Sequence, residues 1–428
     1  MVKDAYSITA RELAELGPDA VPEEIVSIKN LIYSSPSTLS YNSPGARGFG
    51  VKRAGVAIPE SVMLVVAPAC CGRNTTVLAD EGGYSDKMFF LQMDETDLIT
   101  GRHLDDIPKA VDEVRKACDP EPKVVVICIT CVDALLGTDL IRVCQKAEKY
   151  SGVKVVPSYM YALTREGKNP PMVAIRESIY SLLEKKPVQS DMVNLLGNFA
   201  PLEEDTELYD FLRALGIKKI NEISKMKTFD EYLEMGAAHF NLILNPEARK
   251  AAIMLEKKLG MPFAELTRVY EIDRIRKQYA LFASALGASF DDEKYYAEAE
   301  SAVERFRQKF GGKVFAVGRA VNANSVELAL ALVKMGAEVS SVFVNISAGD
   351  FPYLRELAKL SPETKIYSTV SPTMLNYDGD DSVDISIGID AKFYYPKSIN
   401  IKWNDEVQPF GYKGLVHFIE AVERGTEK

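Results

Sequence analysis

The sequence predicts an α/β protein built of three domains with doubly wound parallel sheets around a central cleft. Three observations lead there. Short, β-branched apolar runs recur along the chain without the alternation of a one-sided sheet. Each is followed by a loop and then by a stretch with helical periodicity, and recognisable helix start and stop signals fall between them. Parallel strands covered on both faces, alternating with helices, are the mark of a Rossmann-like layer arrangement, and 428 residues suffice for several such cores.

The strands are expected at Val62–Val66, Val124–Ile129, Val193–Leu196, Phe240–Leu244, Val314–Val317 and Val339–Val344. Between them, Leu208, Phe211, Leu212 and Leu215 form one apolar stripe that Gly216 closes, and Thr228 with Glu231 makes a capping box. Asn245 and Pro246 open a further helix that ends at Gly260, with Pro262 just beyond. A charged helix over Asp291–Phe310 joins the later parts, and Lys185-Lys186-Pro187 and Gly311-Gly312 mark seams. The expected domains are residues 1–188, 189–290 and 291–428, the last including the linking helix.

Composition narrows the function. A net charge of −10 with no stripe of Lys and Arg argues against nucleic acid or an anionic membrane surface as partner. No window approaches the ~20 apolar residues of a membrane span, and the opening MVKDAYSITARELAELG lacks the apolar core of a signal peptide, so a cytoplasmic location is expected. All six cysteines fall between Cys70 and Cys144. In a large cytoplasmic chain that grouping favours metal or redox chemistry over disulfides, because the compartment keeps thiols reduced.

Ligands in open α/β sheets sit outside the carboxyl ends of strands. The run ending at Val66 leads into Ala67-Pro68-Ala69-Cys70-Cys71-Gly72-Arg73-Asn74, and the run ending near Ile129 leads into Thr130-Cys131-Val132-Asp133-Ala134-Leu135-Leu136-Gly137-Thr138-Asp139. Both place a thiol at a strand mouth. A thiolate there gains from the positive end of the following helix, which should lower its pKa, and Arg73 could add to that. The plain alternative is small buried residues filling strand ends. Cys128, inside its apolar run, reads as a small core residue, and Cys118 and Cys144 as structural.

At these loops the chain resembles the nitrogenase component 1 type oxidoreductases. Ala67-Pro68-Ala69-Cys70-Cys71-Gly72 is similar to the family's Gly-Pro-x-Gly-Cys loop, and the segment from Cys131 to Asp139 to its Cys-x-x-x-hydrophobic-Ile-Gly-Asp-Asp. Asp94–Gly101 resembles the acidic stretch between the family's cysteines. Asn194-Leu195-Leu196-Gly197-Asn198 resembles its second-domain strand, Leu259-Gly260-Met261-Pro262 its Gly-Ile-Pro, and Pro409–Gly414 its closing Gly-Tyr-x-Gly. Six short matches in one order make chance a poor explanation.

The resemblance implies an iron–sulfur cluster, 4Fe-4S or larger, held by Cys71 and Cys131 between subunits of a homodimer or of a heterodimer with a related subunit. It also implies electrons delivered by a separate ATP-dependent iron–sulfur reductase. Consistent with that division, no phosphate-binding loop is present, so no nucleotide is expected on this chain. The family's middle cysteine, about twenty-five residues after the first, has no counterpart near Lys87-Met88-Phe89-Phe90. Either Cys70 replaces it or the cluster is a smaller cubane, as in the dark-operative protochlorophyllide and nickel-tetrapyrrole reductase branches. The Cys and late His that hold the large nitrogenase cofactor are not matched, since no cysteine follows Cys144 and His417 lies after the closing motif; dinitrogen reduction is not expected. Loops after later strands offer Asn198, Arg319, Asn322 and Asn324 as cleft residues, each equally readable as a turn or cap. The leading expectation is therefore a nitrogenase-like reductase component acting on a substrate in the interdomain cleft. The alternatives are a non-catalytic scaffold for metallocofactor assembly and a plain binding module.

Overall fold

The computed structural model describes residues 4–26, 36–37, 50–160, 169–379 and 382–427. Its contacts group into two compact units: the described residues of 44–201 with 216–267, and those of 1–43 with 202–215 and 268–428. The strands are β1 (Ile8–Thr9), β2 (Ser61–Pro68), β3 (Met88–Met93), β4 (Val124–Thr130), β5 (Lys154–Met160), β6 (Gln189–Leu196) and β7 (Lys219–Glu222). They continue as β8 (Ala238–Ile243), β9 (Phe263–Glu265), β10 (Val314–Val317), β11 (Glu338–Phe343), β12 (Lys365–Tyr367), β13 (Ile385–Ile387) and β14 (Ile399–Ile401).

The first unit carries two parallel sheets, ordered β3-β2-β4-β5 and β7-β6-β8-β9. In the first, Val62, Leu64, Val66, Val125, Ile127 and Ile129 pack against Ile107, Val111, Val143 and Ala147 of the helices His103–Ala117 and Leu140–Ser151. The intervening residues Met63, Val65, Val126 and Cys128 point the other way, toward Val51 and Ala54 and toward Ile175 and Ile179 of the helix Pro171–Tyr180. Coverage of both faces is why these runs show no alternation. The same core continues through Leu183 into Met192 and Leu196 of the second sheet.

The second sheet has a polar seam inside it. Asn194, Asn221 and Asn241 are in register on β6, β7 and β8; Asn221 Nδ2 donates to Asn194 Oδ1 (2.9 Å) and Asn194 Nδ2 donates to Asn241 Oδ1 (2.9 Å). Asn194 also donates to the Met235 carbonyl (3.0 Å) and reaches the Met261 sulfur (3.5 Å). Gly197 follows β6 with φ 113°, and a Cβ there would lie 2.7 Å from that of Asn245. The capping box at Thr228 and Glu231 forms, and Gly260 ends the helix Arg249–Leu259 in the left-handed conformation.

The second unit is built on a six-stranded sheet, β1-β12-β11-β10-β13-β14, parallel except for β1 at its edge. Helices Ile272–Ala285, Glu293–Phe310 and Gly411–Thr426 belong to it, together with Glu207–Ala214. Each of the three stretches expected from the sequence thus bears one sheet, with β1 added to the third. Among the described residues no helix is long and apolar enough to cross a membrane.

Candidate cluster-binding site

In the order β3-β2-β4-β5 the chain leaves β2 toward one edge and β4 toward the other. The crevice of the first sheet therefore lies between the carboxyl ends of these two central strands, which pair in parallel up to Val66 and Ile129. Cys70 and Cys71 stand in the first turn of the helix Ala69–Glu81 directly after β2. Cys131 opens the helix Cys131–Leu136 directly after β4. The two loops named from the sequence are thus brought to one switch point.

Cys70 is exposed, while Cys71 and Cys131 are half-buried. Burial pushes the Cys71 thiol up from its ordinary value, and its hydrogen bond with Cys70 and the charges of Cys70 and Cys131 push it the same way. The expectation of a lowered pKa from the helix end is thus corrected for Cys71: desolvation and thiol crowding outweigh it. The opposing cation is Lys52, not Arg73, which is exposed. The Lys52 amine donates to Thr75 Oγ1 (3.1 Å), and the Thr75 hydroxyl donates to the Cys71 carbonyl (2.8 Å). Lys52 carried no motif and went unnoticed in the sequence; only the fold brings it to the thiols.

Among the described residues, the His, Cys, Asp and Glu triple whose ligand atoms all lie within 4.8 Å of one another is Glu203, Asp205 and His417. There the ring is already held at both nitrogens, Nδ1 at 2.8 Å from Glu203 and Nε2 at 3.2 Å from Asp205. On either side of Cys131, Thr130 Oγ1 and Asp133 Oδ2 are buried with no hydrogen-bond partner. In the stretch Lys87–Phe90, the ring of Phe90 lies against Gly72, and a Cβ on Gly72 would come within 2.1 Å of it. The same end of the sheet exposes Ile99 (86%), Leu135 (70%) and Leu136 (53%), too much apolar surface on two short helices to be explained by either helix alone.

Cys128 and Cys144 are buried in the core, with the Cys128 thiol pushed up to about 11 by burial, and Cys118 ends the helix His103–Ala117. Of the four polar residues named after later strands, Asn324 caps the helix Ser325–Lys334 through Oδ1 and donates to Asp350. Asn322 donates to the Asp405 carbonyl (2.8 Å). Arg319 is exposed, its backbone N–H held by Asp390 (2.6 Å), and Asn198 keeps a buried Nδ2 without a partner. Asn198 lies in the first unit and the other three in the second, each at the end of its own sheet.

The sequence model of the family described as nitrogenase component 1 type oxidoreductase matches residues 47–425. The chain belongs to this family. Within it, this component 1-type chain is 26% identical over 275 residues to the nitrogenase iron-molybdenum cofactor biosynthesis protein NifE of Clostridium pasteurianum, covering 61% of this chain and 59% of the relative. It is 25% identical over 276 residues to the nitrogenase molybdenum-iron protein alpha chain of Methanosarcina barkeri, covering 60% and 51%. These two matches span only about half to three-fifths of the relatives' own length. NifE of Sinorhizobium fredii matches over more of both chains, 91% and 83%, at 23% identity. The component 1-type fold is matched by the solved structure "Nitrogenase Cp1 at pH 6.5", with a TM-score of 0.69 and 17% identity, covering 95% of this chain and 96% of that one.

Proposed function

We propose that this chain is the electron-accepting component of a nitrogenase-like reductase, which holds an iron–sulfur cluster, 4Fe-4S or larger, on Cys71 and Cys131 at an interface with a second subunit. The observation that carries the reading is the meeting of Cys71 and Cys131 at the switch point of one sheet in a chain of this family. Such a cluster supplies one-electron storage and transfer. The chain's own contribution is to present deprotonated sulfurs, with Cys70 as the third, to offset their charge with the Lys52 ammonium, and to keep the base of the site dry with Cys128 and its apolar neighbours. Because Cys70, Cys71 and Cys131 give one chain at most three thiols against a cubane's four, the site is completed by a second copy or a related subunit that covers Ile99, Leu135 and Leu136. Electrons come from a separate ATP-dependent reductase.

The second reading is a non-catalytic scaffold for metallocofactor assembly, favoured by the NifE names among the relatives. A scaffold should purify with labile iron in excess of the thiol-bound cluster, and a reductase should not. For either reading, anaerobically prepared protein should show a broad thiolate-to-iron absorption band that bleaches in air. The double variant Cys71→Ala, Cys131→Ala should lose the band and its iron; retention of wild-type iron would show the ligands to be wrong.

A further inference from the structure

Behind Cys131 lies a buried group that the proposed redox role does not use. His103 is 3% exposed and Asp133 fully buried. The His103 ring spans two acceptors: Nδ1 lies 3.1 Å from the Asp97 carbonyl and Nε2 lies 3.2 Å from Asp133 Oδ1. Asp133 Oδ1 also accepts from the Thr138 hydroxyl (2.9 Å), and the Thr138 N–H donates to the Asp133 carbonyl (3.0 Å). The ring is thus placed against an oxygen at each nitrogen, and Asp133 is held in turn by Thr138.

The sequence explains how His103 reaches this place. Asp94 and Asp97 form a capping box around the helix Glu95–Thr100, and Gly101 then ends it in the left-handed conformation with φ 71°. His103 begins the next helix, so its ring returns over Asp97. Asp133, two residues after Cys131, sits in the short helix that Cys131 opens, on the other side of the switch point. The ring thus ties the segment after β3 to the loop after β4, the one that carries Cys131.

We propose that His103 is a positioning residue for Cys131: through Asp133 it fixes the Cys131 loop at the mouth of β4, and so the placement of that thiol relative to Cys71. The part of this that concerns a bound cluster rests on the function proposed above; the loop lock itself does not. Groups that orient ligands from behind typically change metal affinity 10–100-fold when removed.

The test uses the full chain in three forms: His103→Phe, Asp133→Asn, and both together. In metal-free protein kept anaerobic, amide hydrogen exchange is read by mass spectrometry in the peptide covering 131–139, relative to a peptide from β2. Either single variant should speed exchange there by roughly tenfold with β2 unchanged, and the double variant should be no faster than the singles, because both act through one bond. Asp133→Asn is nearly isosteric and carries the test if the Phe variant does not fold. Unchanged exchange in the folded variants, or additive acceleration, would overturn the lock. With iron loaded, the variants should lose it to a chelator at least about tenfold faster than wild type; equal loss would overturn the link to the thiol. If wild-type protein takes up no iron, the proposed function fails, while the exchange data still decide the lock.

Discussion

At Gly411 the backbone has φ 66°, and a Cβ built there would lie 1.7 Å from Glu207 Oε1. Glu207 is buried at the start of the helix Gly411–Thr426, where its carboxylate accepts from the N–H of Tyr412 (2.7 Å) and of Lys413 (3.1 Å) and from the Tyr279 hydroxyl (2.7 Å). A carboxyl group that accepts the first N–H groups of a helix stabilises it as a cap does, and Gly411 leaves the space for it. Gly411→Ala should cost about 3 kcal/mol and lower the thermal midpoint by roughly 6 °C or more; a midpoint unchanged by calorimetry would contradict this. The closing Gly-Tyr-x-Gly motif, legible in the sequence as a likeness, is thus a device of the fold.

Glu327 and His417 are two of the titratable side chains that give the second unit a pH dependence. Burial raises Glu327 from 4.5 to about 7, so its contribution to stability is full below 4.5 and is lost as pH rises through about 7. His417 is raised from 6.5, first by its bond to Glu203, so its contribution is full below 6.5 and is lost as pH climbs through its folded value. Both slopes have the same sign. In denaturant titrations between about pH 5 and pH 8, the loss of stability with rising pH should be smaller in Glu327→Gln and in His417→Gln than in wild type. An identical slope in both variants would refute the assignment. Among the candidate site residues, the placement of Cys70, Cys71 and Cys131 at strand ends was legible because the apolar runs stop just before them. Lys52 and His103 were not, because a lysine on one helix and a histidine opening another acquire meaning only when the chain folds them against loops far along the sequence.

At the scale of elements, the strands read correctly are the central ones. β2, β4, β6, β8, β10 and β11 are largely buried, so continuous apolar runs mark them. The strands missed are short or lie toward a sheet edge: β3 is only half-covered along Met88–Met93, β5 contains Pro157, β1 has two residues and β7 four, and β9 and β12 to β14 have three each. Their sequences carry too little pattern to be read without the neighbour that pairs with them. The Asn194, Asn221 and Asn241 seam shows a different device, since a buried polar row fixes β6, β7 and β8 in one register. Asn194→Leu should leave two buried amides short of a partner and cost about 2–4 kcal/mol, measured by denaturant titration with iron content unaffected. A loss below about 0.5 kcal/mol would mean the seam does not hold the register.

At the scale of the whole molecule, the chain has two compact units, and both thiol loops and their neighbouring exposed side chains lie in the first. The α/β class and its three sheets followed from the period of the apolar runs; the assignment of 202–215 to the second unit did not, because a short segment leaving one sheet for another unit has no local signature. Ligand counting links this architecture to function. On the proposed reading, two chains would bring together four thiolates from Cys71 and Cys131, or six with each Cys70, whereas one chain alone falls short of a cubane's four. The Cys70→Ser variant separates these cases, since it should alter the iron spectrum only if Cys70 binds.

The measurement that bears most directly on the account is anaerobic sedimentation velocity of the purified chain, followed at both the protein absorbance and the thiolate-to-iron band. The iron-bearing species should sediment as a dimer, with about twice the 47.4 kDa of one chain, and the iron band should be lost with the dimer in the Cys71→Ala, Cys131→Ala variant. A monomer carrying a complete cluster would contradict a site shared between subunits.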